Sequence, residues 1–261
     1  MKEDFKWSGQ QYSMANELQT HIGAQLLNNI SFTDDASVLD AGCGSGNLTF
    51  AIAAQVPNGH VVAIDLSESM IEKCKDESKK SKMDNISFRV QGINDIDYNE
   101  EFDIIFSNSV LHWILNMEDA AEKLYKALRN NGMVALQFPL LNAQHPLISY
   151  ANRVIEEMQI AEYYVGWKFP WYVPTAEEFQ NVLIHAGFNN IKVLETINIF
   201  KFENAEAVYQ HFQSVGLKLY ADILPENKRE EYMKTVLEDI RSDFSGEADL
   251  TYRRLFAYAN K

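Results

Sequence analysis

The chain has little cysteine and proline: two cysteines and six prolines in 261 residues. So few thiols, Cys43 and Cys74 far apart in sequence, exclude a disulfide framework and a clustered zinc site, and both read as free thiols. Positive charge is also scarce. Against 37 acidic residues stand 23 basic ones, for a formal net charge of -14, and a protein that binds nucleic acid must neutralise phosphates with Lys and Arg. A DNA or RNA substrate is therefore disfavoured. No apolar run approaches the roughly 20 residues of a membrane helix, and the opening Met-Lys-Glu-Asp-Phe-Lys-Trp lacks an apolar signal region. The expectation is a soluble, cytoplasmic protein with no membrane and no obligate protein partner. The run Lys73, Lys75, Lys79, Lys80 and Lys82 is interrupted by Glu72, Asp76 and Glu77, the pattern of a solvated helix face.

What is present is a core. With 46% hydrophobic residues, the chain can bury one elaborated domain or a domain carrying a substantial insertion. The spacing predicts an N-terminal helix through Leu18, Ile22, Leu26 and Leu27, preceded by a flap carrying Phe5, Trp7 and Tyr12. Strands are expected at Ser37 to Ala41, His60 to Asp65, Ile86 to Gln91, Phe102 to Asn108 and Met133 to Phe138. Helices intervene, among them one from Ser67 to about Lys80 and one ended by Asn130-Asn131-Gly132. Nearly unbroken apolar strands alternating with helices imply right-handed βαβ units and parallel pairing with both faces covered.

After Pro139 the rhythm changes. A helix is predicted over Leu147 to Ile160, then an aromatic-dense segment from Tyr163 to Tyr172 that either roofs a pocket or packs as the core of a cap. Thr175-Ala-Glu-Glu178 is a capping-box signature. Further expectations are a strand from Ile191 to Phe202, helices over Ala205 to Leu219 and Pro225 to Phe244, and a last strand over Thr251 to Ala259. The expected organisation is residues 1–30 as N-terminal helix and flap, 31–139 as an α/β ligand-binding core, 140–174 as a cap insertion, and 175–261 as the rest of the core with added helices over 204–244.

The chemistry is concentrated at strand ends, where open α/β sheets bind ligands. Val38-Leu-Asp-Ala-Gly-Cys-Gly-Ser-Gly-Asn47 places glycines at alternate positions after an apolar strand, and Asp65 ends the next strand about twenty residues on, where an acid accepts hydrogen bonds from ribose hydroxyls. A dinucleotide fingerprint G-x-G-x-x-G beginning at Gly42 requires a third glycine at the position of Asn47. That counts against a nicotinamide dehydrogenase.

With Asp40 in front, the segment reads D-x-G-x-G-x-G, and here the chain resembles the class I S-adenosylmethionine-dependent methyltransferases. It is most similar to the group containing trans-aconitate methyltransferases and malonyl-carrier-protein O-methyltransferases. The similarity extends to Trp7 followed by Tyr12, to Gln19, to Ile64-Asp-Leu-Ser-Glu-Ser-Met70 and to Phe106-Ser-Asn-Ser-Val-Leu-His-Trp113. Gln213-Ser-Val-Gly216 and Thr251-Tyr-Arg-Arg-Leu-Phe256 also look like that group.

The resemblance implies a doubly wound, mostly parallel, seven-stranded Rossmann-like sheet with an added helical, aromatic-rich cap. It implies S-adenosylmethionine as cofactor and S-adenosylhomocysteine as product, with Gly42, Gly44 and Gly46 at the methionine part and Asp40 near its ammonium or the loop. Asp65 would hold the ribose, Leu66 and Met70 flank adenine, and Asn108 lie under the sulfonium side. Tyr12 and Gln19 would close the pocket. Where the family carries an acid after its third strand to bind the adenine amino group, this chain aligns Gly92, leaving the Ile93 backbone or Asp95 for that task.

The expected reaction is methyl transfer to a small molecule, with a carboxylate oxygen as the leading acceptor because it is already ionised near neutral pH. His112, with Tyr12, is the candidate for catalysis on a neutral acceptor, giving N-, O- or C-methylation; a non-catalytic cofactor-binding module is the alternative outside enzymology. Arg153, Lys168, Arg253 and Arg254 are the cations available to hold a substrate anion.

Overall fold

The computed structural model describes residues 20–140 and 145–261. Trp7, Tyr12 and Gln19 lie outside the described residues. The first described element is helix α1, over 20–27. It is followed by β1 (Ser37–Ala41), α2 (Asn47–Gln55), β2 (His60–Asp65), α3 (Glu68–Ser81), β3 (Ile86–Val90), β4 (Phe102–Asn108), α4 (Met117–Ala127) and β5 (Leu128–Pro139). Then come α5 (Pro146–Glu157), α6 (Ala176–His185), β6 (Asn189–Phe202), α7 (Ala205–Val215), α8 (Leu217–Ala221), α9 (Glu226–Asp243) and β7 (Ala248–Asn260).

The strands form one seven-stranded sheet in the order β3-β2-β1-β4-β5-β7-β6. β1 pairs in parallel with β2 and β4, β2 with β3, and β4 with β5, while β7 runs antiparallel to β5. The order reverses at β1, whose neighbours are β2 and β4. Their carboxyl ends leave a crevice of the kind open α/β sheets use for ligands. The mostly parallel doubly wound class is as the alternation of strands and helices implied.

By its contacts the chain divides into two units. One comprises, among the described residues, 20–139, Trp171–Thr196 and Arg254–Lys261. Its β1, β2 and β4 are almost wholly buried, which explains their unbroken apolar sequences.

The second unit comprises, among the described residues, Leu140, 145–170 and Ile197–Arg253. Its core is built from α5, α7, α8 and α9, with Leu147, Val154, Phe212, Tyr232, Val236 and Ile240 buried together. Arg153 bridges α5 to α9, donating to Asp239 at 2.5 Å and to Asp243 at 2.8 Å, and its guanidinium lies 4.6 Å from the Tyr150 ring centre. These bonds hold the Asp243 carboxyl below its usual range, the Arg153 guanidinium contributing most and the Tyr150 hydroxyl next. Tyr164, Trp167, Phe169 and Tyr220 pack ring against ring and, with Asn152 and Ile155, line a cavity of about 290 Å³.

Several boundaries differ from the sequence expectation, three of them with a visible cause. α4 ends at Ala127 rather than at the Asn130-Asn131-Gly132 turn, because Leu128 pairs with Phe102 of β4. The pairing shifts register after that residue, and Asn131 takes a φ of 66° before regular pairing resumes at Met133. The helix expected over Ala205 to Leu219 is two helices, broken at Gly216, whose φ of 154° only glycine adopts readily. The helix expected to reach Ile160 stops at Glu157, and Gln159 follows with a φ of 54°. The capping box is as expected: Thr175 Oγ1 accepts from the Glu178 amide, and Glu178 Oε2 accepts from the Thr175 amide at 2.7 Å.

Candidate active site

The glycine loop joins β1 to α2 with three left-handed residues in close succession, Gly42 at φ 92°, Gly44 at 52° and Gly46 at 85°. A Cβ on Gly42 would come within 2.2 Å of Val110 Cγ2, so this residue must be glycine for packing as well as for conformation. Gly44 faces open space, with nothing within 4 Å of the position a Cβ would take. The loop is therefore packed behind and open in front, as a cradle for a ligand that approaches the backbone closely.

Asp65 fastens this loop to the one after β2. Its Oδ2 accepts from the Gly44 amide at 2.9 Å and its Oδ1 from the Ser67 amide at 2.8 Å. Each oxygen retains a lone pair, so the carboxylate can brace both loops and still accept from a diol. The Gly44 carbonyl in turn receives the Cys74 thiol at 3.3 Å and the Cys43 thiol at 3.9 Å. Both cysteines are free. The two thiols act on each other's ionisation: the neighbouring Cys74, with burial, pushes the Cys43 thiol up, and the neighbouring Cys43 pulls Cys74 down.

Asp40 lies beneath the loop. It is 2% exposed and accepts from Thr49 Oγ1 at 2.6 Å. Burial pushes its carboxyl up to about 7, opposed by the Thr49 bond and assisted by the charge of Asp65. Its visible role is to tie β1 to α2.

Leu66 is 76% exposed beside this loop, an unusual setting for a leucine at a strand end, and Met70 is half-buried in the first turn of α3. Past β3, Gly92 opens a short 3₁₀ turn over Ile93–Asp95. A Cβ on Gly92 would fall 2.8 Å from Asp95 Oδ2 and 3.2 Å from Leu66 Cδ2. The absent side chain thus makes room for the Asp95 carboxylate, which the turn carries back beside Leu66.

At the end of β4, Asn108 is buried, with its Nδ2 close against Gly23 of α1. Ser109 follows with a φ of 60°. His112 sits in the next 3₁₀ turn, 5% exposed. Its ring centre lies 5.0 Å from that of Trp171 and 5.2 Å from that of Trp113, and its carbonyl accepts from the Tyr172 amide at 2.7 Å. The aromatic segment expected either to roof a pocket or to form a cap core is therefore divided. Tyr164, Trp167 and Phe169 line the cavity of the helical unit, whereas Trp171 packs against His112 and Trp113.

The structure brings Asp40, Gly42, Gly44, Gly46, Asp65, Leu66, Gly92, Ile93 and Asn108 together at the carboxyl edge of β1 to β4. Tyr12 and Gln19 lie outside the described residues. Sequence reading passed over Thr49, Ser109 and Gln137. The one available signal was for Gln137, a polar residue inside the apolar run Met133 to Phe138 of β5, and it is completely buried. Of the four cations, Arg153 is engaged with Asp239 and Asp243, Lys168 is exposed, Arg253 is half-buried and Arg254 is buried.

A parallel sheet reversing at β1, a glycine cradle with no third dinucleotide glycine, and an acid ending β2 define an S-adenosylmethionine-dependent methyltransferase, acting on a small-molecule acceptor. The chain belongs to the family described as a methyltransferase domain, whose model matches residues 32–187.

It is 26% identical over 262 residues to a trans-aconitate 2-methyltransferase of Sinorhizobium fredii, covering 98% of each chain. It is also 26% identical over 260 residues to a malonyl-[acyl-carrier protein] O-methyltransferase of Bacillus cytotoxicus, covering 95% of this chain and 85% of that one. Among solved structures, the YcgJ protein of Bacillus subtilis shares the fold with a TM-score of 0.63 at 14% identity, over 93% of this chain and 98% of its own. A phosphoethanolamine N-methyltransferase 2 of Haemonchus contortus aligns with a TM-score of 0.60 at 17% identity, over 92% of this chain and 52% of its own.

Proposed function

We propose that this methyltransferase esterifies a small carboxylic acid. The observation that carries the reading is the state of His112. A hydroxyl or amine acceptor must lose a proton, and a base that removes it has to reach it. His112 is packed against the Trp113 and Trp171 rings, and its carbonyl holds the Tyr172 amide, a setting that supports a structural role. A carboxylate is already ionised near neutral pH and needs no such base. The relatives' activities, on trans-aconitate and on a malonyl carrier protein, point the same way. Between them, the net charge of -14 favours a free acid, because like fields slow encounter with an acidic carrier.

S-adenosylmethionine supplies an electrophilic methyl group on a sulfonium. The residues of this chain position and desolvate what meets it, and positioning is the larger part of rate enhancement in such displacements. On this reading the spare lone pairs of Asp65 accept from the ribose hydroxyls and Leu66 covers one face of adenine. The Asp95 carboxylate, filling the space beside Gly92, accepts from the adenine amino group. The Gly42 to Gly46 backbone lies against the methionine part, and Asn108 stands at the end of β4 near the reacting side.

The test is incubation with methyl-labelled cofactor and a panel of small acids and phenols. The expected product is an ester whose label is released by mild alkali. Alkali-stable label overturns the carboxylate reading in favour of transfer to a neutral acceptor, and cofactor binding without turnover on any acceptor favours a binding module. Stabilisation by S-adenosylhomocysteine at 100 times its Kd should approach about 2.7 kcal/mol, with none from NAD.

A further inference from the structure

At the carboxyl ends of β4 and β5 three polar side chains stand in line. Arg254 Nη1 donates to Ser109 Oγ at 3.3 Å, and Ser109 Oγ lies 3.2 Å from Gln137 Oε1. A guanidinium can only donate, so the serine oxygen accepts from Arg254 and gives its own proton to the glutamine oxygen. This order fixes the amide orientation. Gln137 must turn its Nε2 the other way, and that group is buried without a hydrogen-bond partner among the described residues.

Leaving a buried donor unpaired is costly, a penalty tolerated where a ligand brings the acceptor. A second, independent mark of function lies beside it. Ser109 holds a φ of 60°, a strained conformation for a residue with a Cβ. Its amide is held to the Gln137 carbonyl at 2.7 Å. Gln137 faces Phe256 in the β5–β7 register, and Arg254 lies two positions from Phe256. Strand alternation therefore projects Gln137 and Arg254 from the same face of the sheet and sends Arg253 to the other.

We propose that Arg254 and the Gln137 amide form the subsite that holds a carboxylate of the acceptor, with Ser109 setting their spacing. The assignment rests on the reading of the acceptor as an acid. Both groups offer N–H donors, which suits a planar anion with about four lone-pair sites. They are buried, so the charge-assisted bonds act away from water.

A carboxylate bonded in this way has its lone pairs and charge drawn toward the guanidinium and is the poorer nucleophile. The carboxylate that is methylated is therefore a second one. The substrate class that follows is a small di- or tricarboxylic acid, converted to its monoester: an oxygen of the unheld carboxylate forms the new bond to carbon, the sulfonium–carbon bond breaks with its electrons going to sulfur, and no proton moves.

The experiment uses the full-length protein, with trans-aconitate as the probe acid and its doubly amidated derivative, which keeps one carboxylate, as control. S-adenosylhomocysteine affinity is measured first by calorimetry and is expected to stay within about twofold of wild type in Arg254→Gln, Arg254→Lys and Gln137→Met. With the acid, Arg254→Gln is expected to raise KM and the Kd for binding to the product-loaded enzyme by roughly 30-fold, the loss of a charge-assisted pair. Arg254→Lys should retain part of the affinity. Gln137→Met removes the unpaired amide together with the acceptor of the Ser109 hydroxyl, so the readout is a split: KM for the acid should rise while kcat and S-adenosylhomocysteine affinity stay near wild type, whereas a purely structural role would move all three.

Wild-type KM in Arg254→Gln, or equal kcat/KM for trans-aconitate and its diamide in the wild type, overturns the subsite while leaving the carboxylate reading intact. No acid methylated by a wild-type protein that binds S-adenosylhomocysteine overturns the carboxylate reading itself, and the subsite with it.

Discussion

Two aspartates near the same loop carry opposite burdens. Asp65 is partly exposed and receives one amide from each of two loops. Asp65→Ala frees both loops and removes the proposed ribose acceptor. Since bonds to a charged group are worth about 1.5–3 kcal/mol each, affinity for S-adenosylhomocysteine should fall at least roughly tenfold by calorimetry, a tenfold change being 1.4 kcal/mol.

Asp40 is buried, and its carboxyl is raised to about 7. In the unfolded chain it ionises near 4, so between those values the folded state binds the extra proton. Its contribution to stability is greatest below pH 4, declines as pH rises toward 7, and is constant above. The difference in urea midpoint between the wild type and Asp40→Asn, whose amide oxygen keeps the Thr49 bond, should therefore move in favour of the variant from pH 5 to pH 7.5. A pH-independent difference would show that Asp40 titrates normally.

Among elements, those with local instructions were legible and those set by long-range pairing were less so. Thr175 and Glu178 announce the start of α6 on their own, and the box is present; Thr175→Ala should cost about 1 kcal/mol in denaturant unfolding. β1, β2 and β4 were readable because strands covered on both faces must be apolar. The α4 to β5 junction was not. Asn130-Asn131-Gly132 is a strong turn signal, but which side of Leu128 the helix ends on depends on its pairing with Phe102, a contact the local sequence does not encode.

The glycine loop shows the same division. Its spacing revealed a ligand-binding turn, but the packing of Val110 against Gly42 comes from a segment beyond β4. Gly42→Ala forces both a contact and a left-handed alanine and should destabilise by about 3 kcal/mol or more. Gly44→Ala meets no neighbour, and its loss should be nearer 1 kcal/mol.

For the whole molecule, a family resemblance carried by short motifs named the cofactor and the mostly parallel sheet. It could not place Arg254, because four basic residues look alike until strand alternation and burial separate them. Gln137 looked like an interruption of an apolar strand, and only its neighbours give it meaning.

The clasp of Asp65 on the Gly44 and Ser67 amides is made by the chain's own groups, so binding demands little ordering. None of the groups assigned to ribose, adenine or the glycine cradle senses whether sulfur still carries its methyl. Affinity for spent cofactor should then approach that for fresh cofactor. Turnover is expected to stall on its own product, with a competitive inhibition constant for S-adenosylhomocysteine within about tenfold of the cofactor's KM, and to recover on addition of an enzyme that hydrolyses it.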